Sequence, residues 1–149
     1  MKILFLGASS FTGYHFVKKI SKTRKYKIYC TLTKNINQYD SIRLRRIKLL
    51  YKYKNIIFLN KTKFGDKKFI DLISKTKFDY ICLHHSSTKN YNDDSRFSLE
   101  KSLKKNTTNI NKVFSKINKQ AIIIVSNTIF QKIISKKYKA VNKYGISKS

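Results

Sequence analysis

Lys2-Ile3-Leu4-Phe5-Leu6-Gly7-Ala8-Ser9-Ser10-Phe11-Thr12-Gly13 opens the chain, and its two halves obey different rules. After Lys2 the side chains are all apolar up to Gly7, which suits a strand buried on both faces rather than one alternating between core and water. Glycines at 7 and 13, with small hydroxyl residues between them, then interrupt the run. From Thr12 to Ile20 apolar residues recur at helical spacing. An apolar strand, a glycine turn and a helix, in that order, predict the first βα unit of a parallel sheet.

The rest of the chain repeats the alternation. Strands are expected over Tyr26–Leu32, Asn55–Leu59, Tyr80–His84 and Ala121–Val125, the last fully apolar. Helices are expected over Asp40–Leu50, capped by Asp40 or Ser41, and over Asp66–Lys75, with Phe69, Leu72 and Ile73 on one face. Ser98–Ile117 reads as one longer helix. The chain then loops and enters a new helix around Tyr144–Ser149. Right-handed crossovers between such strands give an α/β fold: a doubly wound parallel sheet of about five strands, in the order 3-2-1-4-5, covered on both faces. Its ligand crevice belongs at the carboxyl ends of strands 1 and 4. No internal repeat, low-complexity segment or break in composition divides the chain, so residues 1–149 read as one domain.

Composition excludes several other classes. With 34 Lys+Arg against 7 Asp+Glu, the formal charge of the 149-residue chain is 34 − 7 = +27. Hydrophobic residues at 41% are too many for a disordered tail. No apolar run is long enough to cross a membrane, and about five apolar residues before Gly7 are too few for a signal peptide. Two cysteines make no disulfide scaffold, and Cys30 and Cys82 lie inside strands, where a buried inert thiol is expected. A cytoplasmic soluble domain is the expectation. The charge alone would suit nucleic acid. However, 29 of the 34 cations are lysines spread along the whole chain, so a solvated surface is preferred and no specific nucleic acid is expected.

The turn Gly7–Gly13 stands where a dinucleotide pyrophosphate needs a tight bend, close backbone approach and a helix N-terminus with free N–H groups. Gly7 suits the bend and Gly13 the close packing of helix on sheet. Ser9, Ser10 and Thr12 add hydroxyl donors, and Phe11 completes the turn. Ser10 stands where the middle glycine of such a motif falls. At the end of strand 2 a carboxylate would select NAD and a cation NADP. Here Thr31-Leu32-Thr33-Lys34-Asn35 carries no acid, so Lys34 leans the cofactor toward NADP.

Two further segments carry chemistry. Val125-Ser126-Asn127-Thr128-Ile129-Phe130 follows strand 5, and Tyr144-Gly145-Ile146-Ser147-Lys148 comes near the end. On a helix Tyr144 and Lys148 are i and i+4 and share a face. An ammonium beside a phenol favours proton transfer near neutral pH, and a serine hydroxyl opposite can hold the substrate oxygen. His84 and His85 are adjacent on a strand, so they point to opposite faces and do not bind one metal together. His15 suits a surface or helix–sheet packing position. The acidic pair Asp93-Asp94, next to Arg96, reads as a loop followed by a helix N-terminus, where carboxylates are favourable.

GASSFTG after strand 1, VSNTIF after strand 5 and YGISK together resemble the extended short-chain dehydrogenase/reductase family, of the NAD-dependent epimerase/dehydratase type. The resemblance implies a Rossmann-like domain binding NAD or NADP. It also implies hydride transfer between the nicotinamide and a substrate carbon, with a nucleotide-sugar as the substrate class. By that likeness Tyr144 is the catalytic acid/base, Lys148 its ribose-binding partner, and Ser126 the catalytic Ser/Thr four residues before the aromatic Phe130. Gly7, Ser10 and Gly13 fall on the three glycine positions. Asn60 takes the place of an aspartate near the adenine, and Asn106 matches an asparagine that holds a water in a proton relay. His84 and His85 close strand 4 beside the cofactor, with His85 where an alanine is usual. Members of the family continue into a substrate-binding region that this sequence lacks. The domain therefore reads as incomplete: a fragment, a truncated gene product or half of a split enzyme. That reading leaves a catalytically inactive nucleotide-binding chain as the alternative, with a frayed Val141–Ser149 end, and a basic nucleic-acid-binding protein as a more distant one. A homodimer is one assembly the full-length family allows.

Overall fold

The computed structural model describes residues 1–128, 131–134 and 137–148. Five parallel strands form one sheet in the order β3-β2-β1-β4-β5: β1 Lys2–Leu6, β2 Lys27–Thr31, β3 Ile56–Leu59, β4 Tyr80–Leu83 and β5 Ile122–Val125. The register is regular. Phe5 sits opposite Cys30 on one side and Cys82 on the other, and Leu83 sits opposite Val125. The architecture is Rossmann-like, as the order of segments predicts.

Helices α1 (Phe11–Ser21) and α2 (Ser41–Leu50) cover one face. There Ile3, Phe5, Ala8, Tyr14, Val17, Ile28, Cys30 and Leu50 form a buried cluster. Helix α3 (Lys67–Lys75) covers the other face, where Phe69, Ile70 and Ile73 pack with Leu4, Leu6, Ile81 and Val113. Leu72, expected beside Phe69, is partly buried at the margin, and Ile70 takes the deeper position. Capping follows the sequence closely. Ser10, Asp40 and Asp66 each accept an N–H from the first turn of α1, α2 and α3.

Three expectations fail. Ser98–Ile117 is not one helix but two, α4 (Leu99–Thr107) and α5 (Ile110–Lys116), separated at Asn109, whose φ is +52°. The cause is tertiary. The Asn109 amide donates to the Gly65 carbonyl at 2.8 Å, and Gly65, at φ +72°, lies hard against the Thr108 carbonyl. A straight helix through this point would collide with that loop. Next, the stretch read as loop after strand 5 contains an antiparallel hairpin, β6 (Gln131–Ile134) with β7 (Lys137–Ala140). Lastly, among the described residues the sheet is not covered on both faces throughout. The apolar β5 is an edge strand in which Ile122 is 54% and Ile124 48% exposed. Among the described residues no helix is long and apolar enough to cross a membrane.

Candidate dinucleotide crevice

The glycine turn folds as its residue types require. Gly7 has φ +87°, a conformation that costs a side-chain-bearing residue, and a Cβ there would run into the His84 carbonyl. At Gly13 a Cβ would fall on the Gly7 carbonyl. Both glycines are thus required for contact: one brings β1 against the end of β4, the other seats α1 on the turn. Ser10 accepts the Gly13 N–H at 3.0 Å as the N-cap of α1, while its own amide donates to the Gly7 carbonyl at 3.0 Å. Phe11 and Thr12 are exposed at the mouth of the turn.

Arg46 joins this site from α2, a residue no sequence motif singles out. Its guanidinium donates to the Ser9 carbonyl at 3.4 Å and lies 5.5 Å from the centre of the Phe11 ring. Of the chain's five arginines three lie at positions 43–46. Arg43 pairs with Asp40, leaving Arg46 turned toward the glycines. Lys34 is exposed just beyond β2, and the nearest carboxylate, Asp40, is occupied by its cap and ion pair.

At the carboxyl end of β4 the two histidines diverge as strand geometry demands. His84 lies near Phe5 and Phe16 on the α1 side, and His85 stacks on Phe64 at 4.7 Å and 21° on the α3 side. Burial, the Lys148 ammonium and His84 push the His85 imidazole down to about 4, outweighing the backbone of Asn106, which pulls the other way. Burial and Lys148 lower His84 as well. Burial raises Cys82 to about 11 and Cys30 further still, which fits inert thiols in the core. His15 is exposed on α1 against Phe11 and Tyr14.

Several site residues meet around that strand end. Ser126 follows β5, its amide and hydroxyl both directed at the Leu83 carbonyl, at 3.3 and 3.5 Å. Lys148 donates to the His85 carbonyl at 3.1 Å, and burial lowers its pKa. Asn106 donates to the Ser147 carbonyl at 2.8 Å. Tyr144, on α6 (Lys143–Ile146), stands edge-on to Tyr91 and Phe97. Asn60 lies apart, at the end of β3. Phe130 lies outside the described residues, so its spacing from Ser126 has no structural counterpart, and the carboxylate of Ser149 lies outside them too. Asp93 and Asp94 do not cap α4, a place taken by Ser98. Asp93 instead binds Ser95 and Arg96, and Asp94 binds Lys143.

Among the described residues, buried polar atoms without a hydrogen-bond partner lie at or beside the end of β4, namely His84 Nδ1, His85 Nδ1 and Nε2, Ser86 Oγ and Asn106 Oδ1. Asn60 Oδ1 is a separate one at the end of β3. Such groups are costly unless something satisfies them, which makes the end of β4 a candidate site for a polar ligand. A hollow of about 390 Å³ on the outer side of α2, lined by Ser41, Leu44, Arg45 and Lys48, has no such converging groups. The crevice is the better site.

Neither a protein-family model nor a curated protein matches the sequence. Solved structures do match. UDP-glucuronic acid 4-epimerase from Bacillus cereus, in complex with UDP-glucuronic acid and NAD, is 16% identical with a TM-score of 0.76, covering 99% of this chain and 49% of that one. The UDP-Glc/GlcNAc 4-epimerase of Campylobacter jejuni is 21% identical with a TM-score of 0.73, over 99% and 45%. The ADP-L-glycero-D-manno-heptose-6-epimerase of Helicobacter pylori is 18% identical with a TM-score of 0.71, over 99% and 48%. At these identities the likeness is one of fold. The chain spans about half the length of each.

Proposed function

We propose that residues 1–149 form the dinucleotide-binding domain of an NAD(P)-dependent oxidoreductase of the epimerase/dehydratase type, acting on a nucleotide-sugar. One observation carries the reading. The glycine turn packs on the His84 carbonyl, Ser126 reaches the Leu83 carbonyl and Lys148 the His85 carbonyl, so the three converge on the crevice at the carboxyl end of β4. That crevice lies at the switch point of a doubly wound sheet, where such folds take their ligands. The fold shared with sugar-nucleotide epimerases, one of them holding NAD, supports it further.

The residues present fit a dinucleotide. The N-terminus of α1 and the Ser10 hydroxyl would hold the pyrophosphate. Asn60 Oδ1 is an unfilled acceptor for the adenine side, and Lys148 and His85 border the opposite side. When bound, the nicotinamide would supply the hydride chemistry. In this reading Ser126 holds the substrate oxygen, Tyr144 moves its proton, and Lys148 holds the cofactor's ribose. Lys34 and Arg46, with no free carboxylate near β2, support NADP over NAD. Titration with the reduced dinucleotides, read by fluorescence, tests the reading. Saturable binding is expected, tighter for NADPH, with the preference reduced by Arg46→Ala. No change at millimolar concentrations of either, with the protein folded, would refute it.

A second reading, a chain that binds the nucleotide without turnover, is favoured by the exposure of Ile122 and Ile124 on β5, the strand that leads into Ser126, among the described residues. Turnover of a UDP-sugar, lost in Tyr144→Phe, would decide against it.

A further inference from the structure

We propose that the loop joining β4 to α4 positions the Tyr144–Lys148 pair, with Asp94 as the positioning residue and Tyr91 and Phe97 as the walls beside the tyrosine ring. The proposal deepens the functional reading above and rests on it for the roles of Tyr144 and Lys148. Helix α6 has four residues, far too few to hold together alone in water. Gly145 and Ser147 are nevertheless buried. The segment is held from outside.

Its first turn is gripped twice. Asn142 accepts the Gly145 N–H at 2.8 Å, and Asp94, 49 positions earlier in the chain, accepts the Lys143 N–H at 3.0 Å. The Lys143 ammonium folds back to the Asp94 carbonyl at 2.8 Å. The residue just before Tyr144 is therefore fixed by both its backbone and its side chain. Asp93 keeps the loop in shape for this, since its carboxylate binds Ser95 and Arg96. The Tyr144 ring then stands 5.6 Å from Tyr91 and 5.8 Å from Phe97, at 62° and 87° between planes, the edge-on geometry aromatic pairs favour. Beyond it, the Asn106–Ser147 and Lys148–His85 bonds hold the far end. A proton-transferring group displaced by about 1 Å can lose roughly a hundredfold in rate. On so short a helix, placement to that tolerance falls to the loop.

The test compares Asp94→Ala with Asp94→Asn, whose Oδ1 still accepts the Lys143 N–H. Asp94 is exposed, so neither change touches the core. In protein labelled with 13Cζ-tyrosine, the Tyr144 resonance is identified by its loss in Tyr144→Phe. Asp94→Ala is expected to shift that resonance and to speed amide exchange at Lys143 and Gly145 about tenfold. Asp94→Asn is expected to keep both at their original values. Tyr91→Leu is expected to move the resonance and leave exchange at Lys143 unchanged. A Tyr144 resonance and exchange indifferent to Asp94→Ala, or Asn behaving as Ala does, would overturn the proposal. Dinucleotide titration of the unaltered chain is read separately. Its failure removes the functional reading, while the tether stands or falls on the resonance and exchange.

Discussion

β1 and β5 carry nearly the same kind of sequence, ILFL and IIIV, and meet opposite fates. Leu4, Phe5 and Leu6 in β1 are at most 3% exposed, whereas Ile122, Ile124 and Val125 in β5 are about half exposed or more. β1 has a hydrogen-bonded neighbour on each side and helices over both faces. Among the described residues β5 pairs with β4 alone and forms the edge of the five-stranded sheet. An apolar run thus specifies a strand, while burial depends on what the rest of the chain lays against it. The same contrast divides the two halves of the crevice. The glycine turn is set by backbone packed on backbone. The Ser126–Lys148 half is set by side chains reaching across long sequence separations.

The hardest way to break the first half is Gly13→Val. Its side chain would have to occupy the place of the Gly7 carbonyl, so α1 would be forced off the sheet. A loss of about 4 kcal/mol or more is expected, in the range of the severest single substitutions. Denaturant melts should show it, and dinucleotide binding should vanish with it.

Next in size comes a matched pair of truncations. Leu4→Ala removes a fully buried side chain and is expected to cost about 2–5 kcal/mol. Ile124→Ala, at a residue 48% exposed, should cost under about 1 kcal/mol. Equal losses in the two variants would mean that β5 is covered in solution.

The last effect is spread over a pH interval, at the junction of the two halves. His85 has its ordinary value of 6.5 in the unfolded chain and about 4 when folded. Between those values the unfolded state binds more protons, so stability should fall as pH drops from 6.5 toward 4, by up to about 1.4 kcal/mol per unit. Above 6.5 the contribution is complete. Melts from pH 4 to 7 should be steeper for the unaltered protein than for His85→Gln. Parallel curves would place His85 in water.

The legible parts of the molecule are local ones. Asp40 announces its cap within three residues of sequence, and five strands declare themselves by apolar runs. The break at Asn109 was hidden because the apolar spacing of a helix continues through it, and the collision that forbids one helix comes from Gly65. The β6–β7 hairpin was hidden because Gln131–Ala140 carries no glycine and is rich in lysine, which argues for loop. Arg46 and Asp94 lie outside every motif. Each acts on residues far away in sequence, Arg46 on Ser9 and Asp94 on Lys143. Within the stretch expected to fray, Lys143, Ser147 and Lys148 bond to Asp94, Asn106 and His85, partners the sequence did not indicate.

By itself the sequence determined the strand order and the turn that opens the crevice. Alternating apolar strands and helices, linked by right-handed crossovers, leave few ways to wind a sheet, and a glycine at φ +87° has almost no substitute. Tertiary structure alone decided which apolar strand is buried, where the fourth helix breaks and what holds the tyrosine–lysine pair. Those outcomes depend on contacts between segments tens of residues apart, whose energies no local pattern of residues contains.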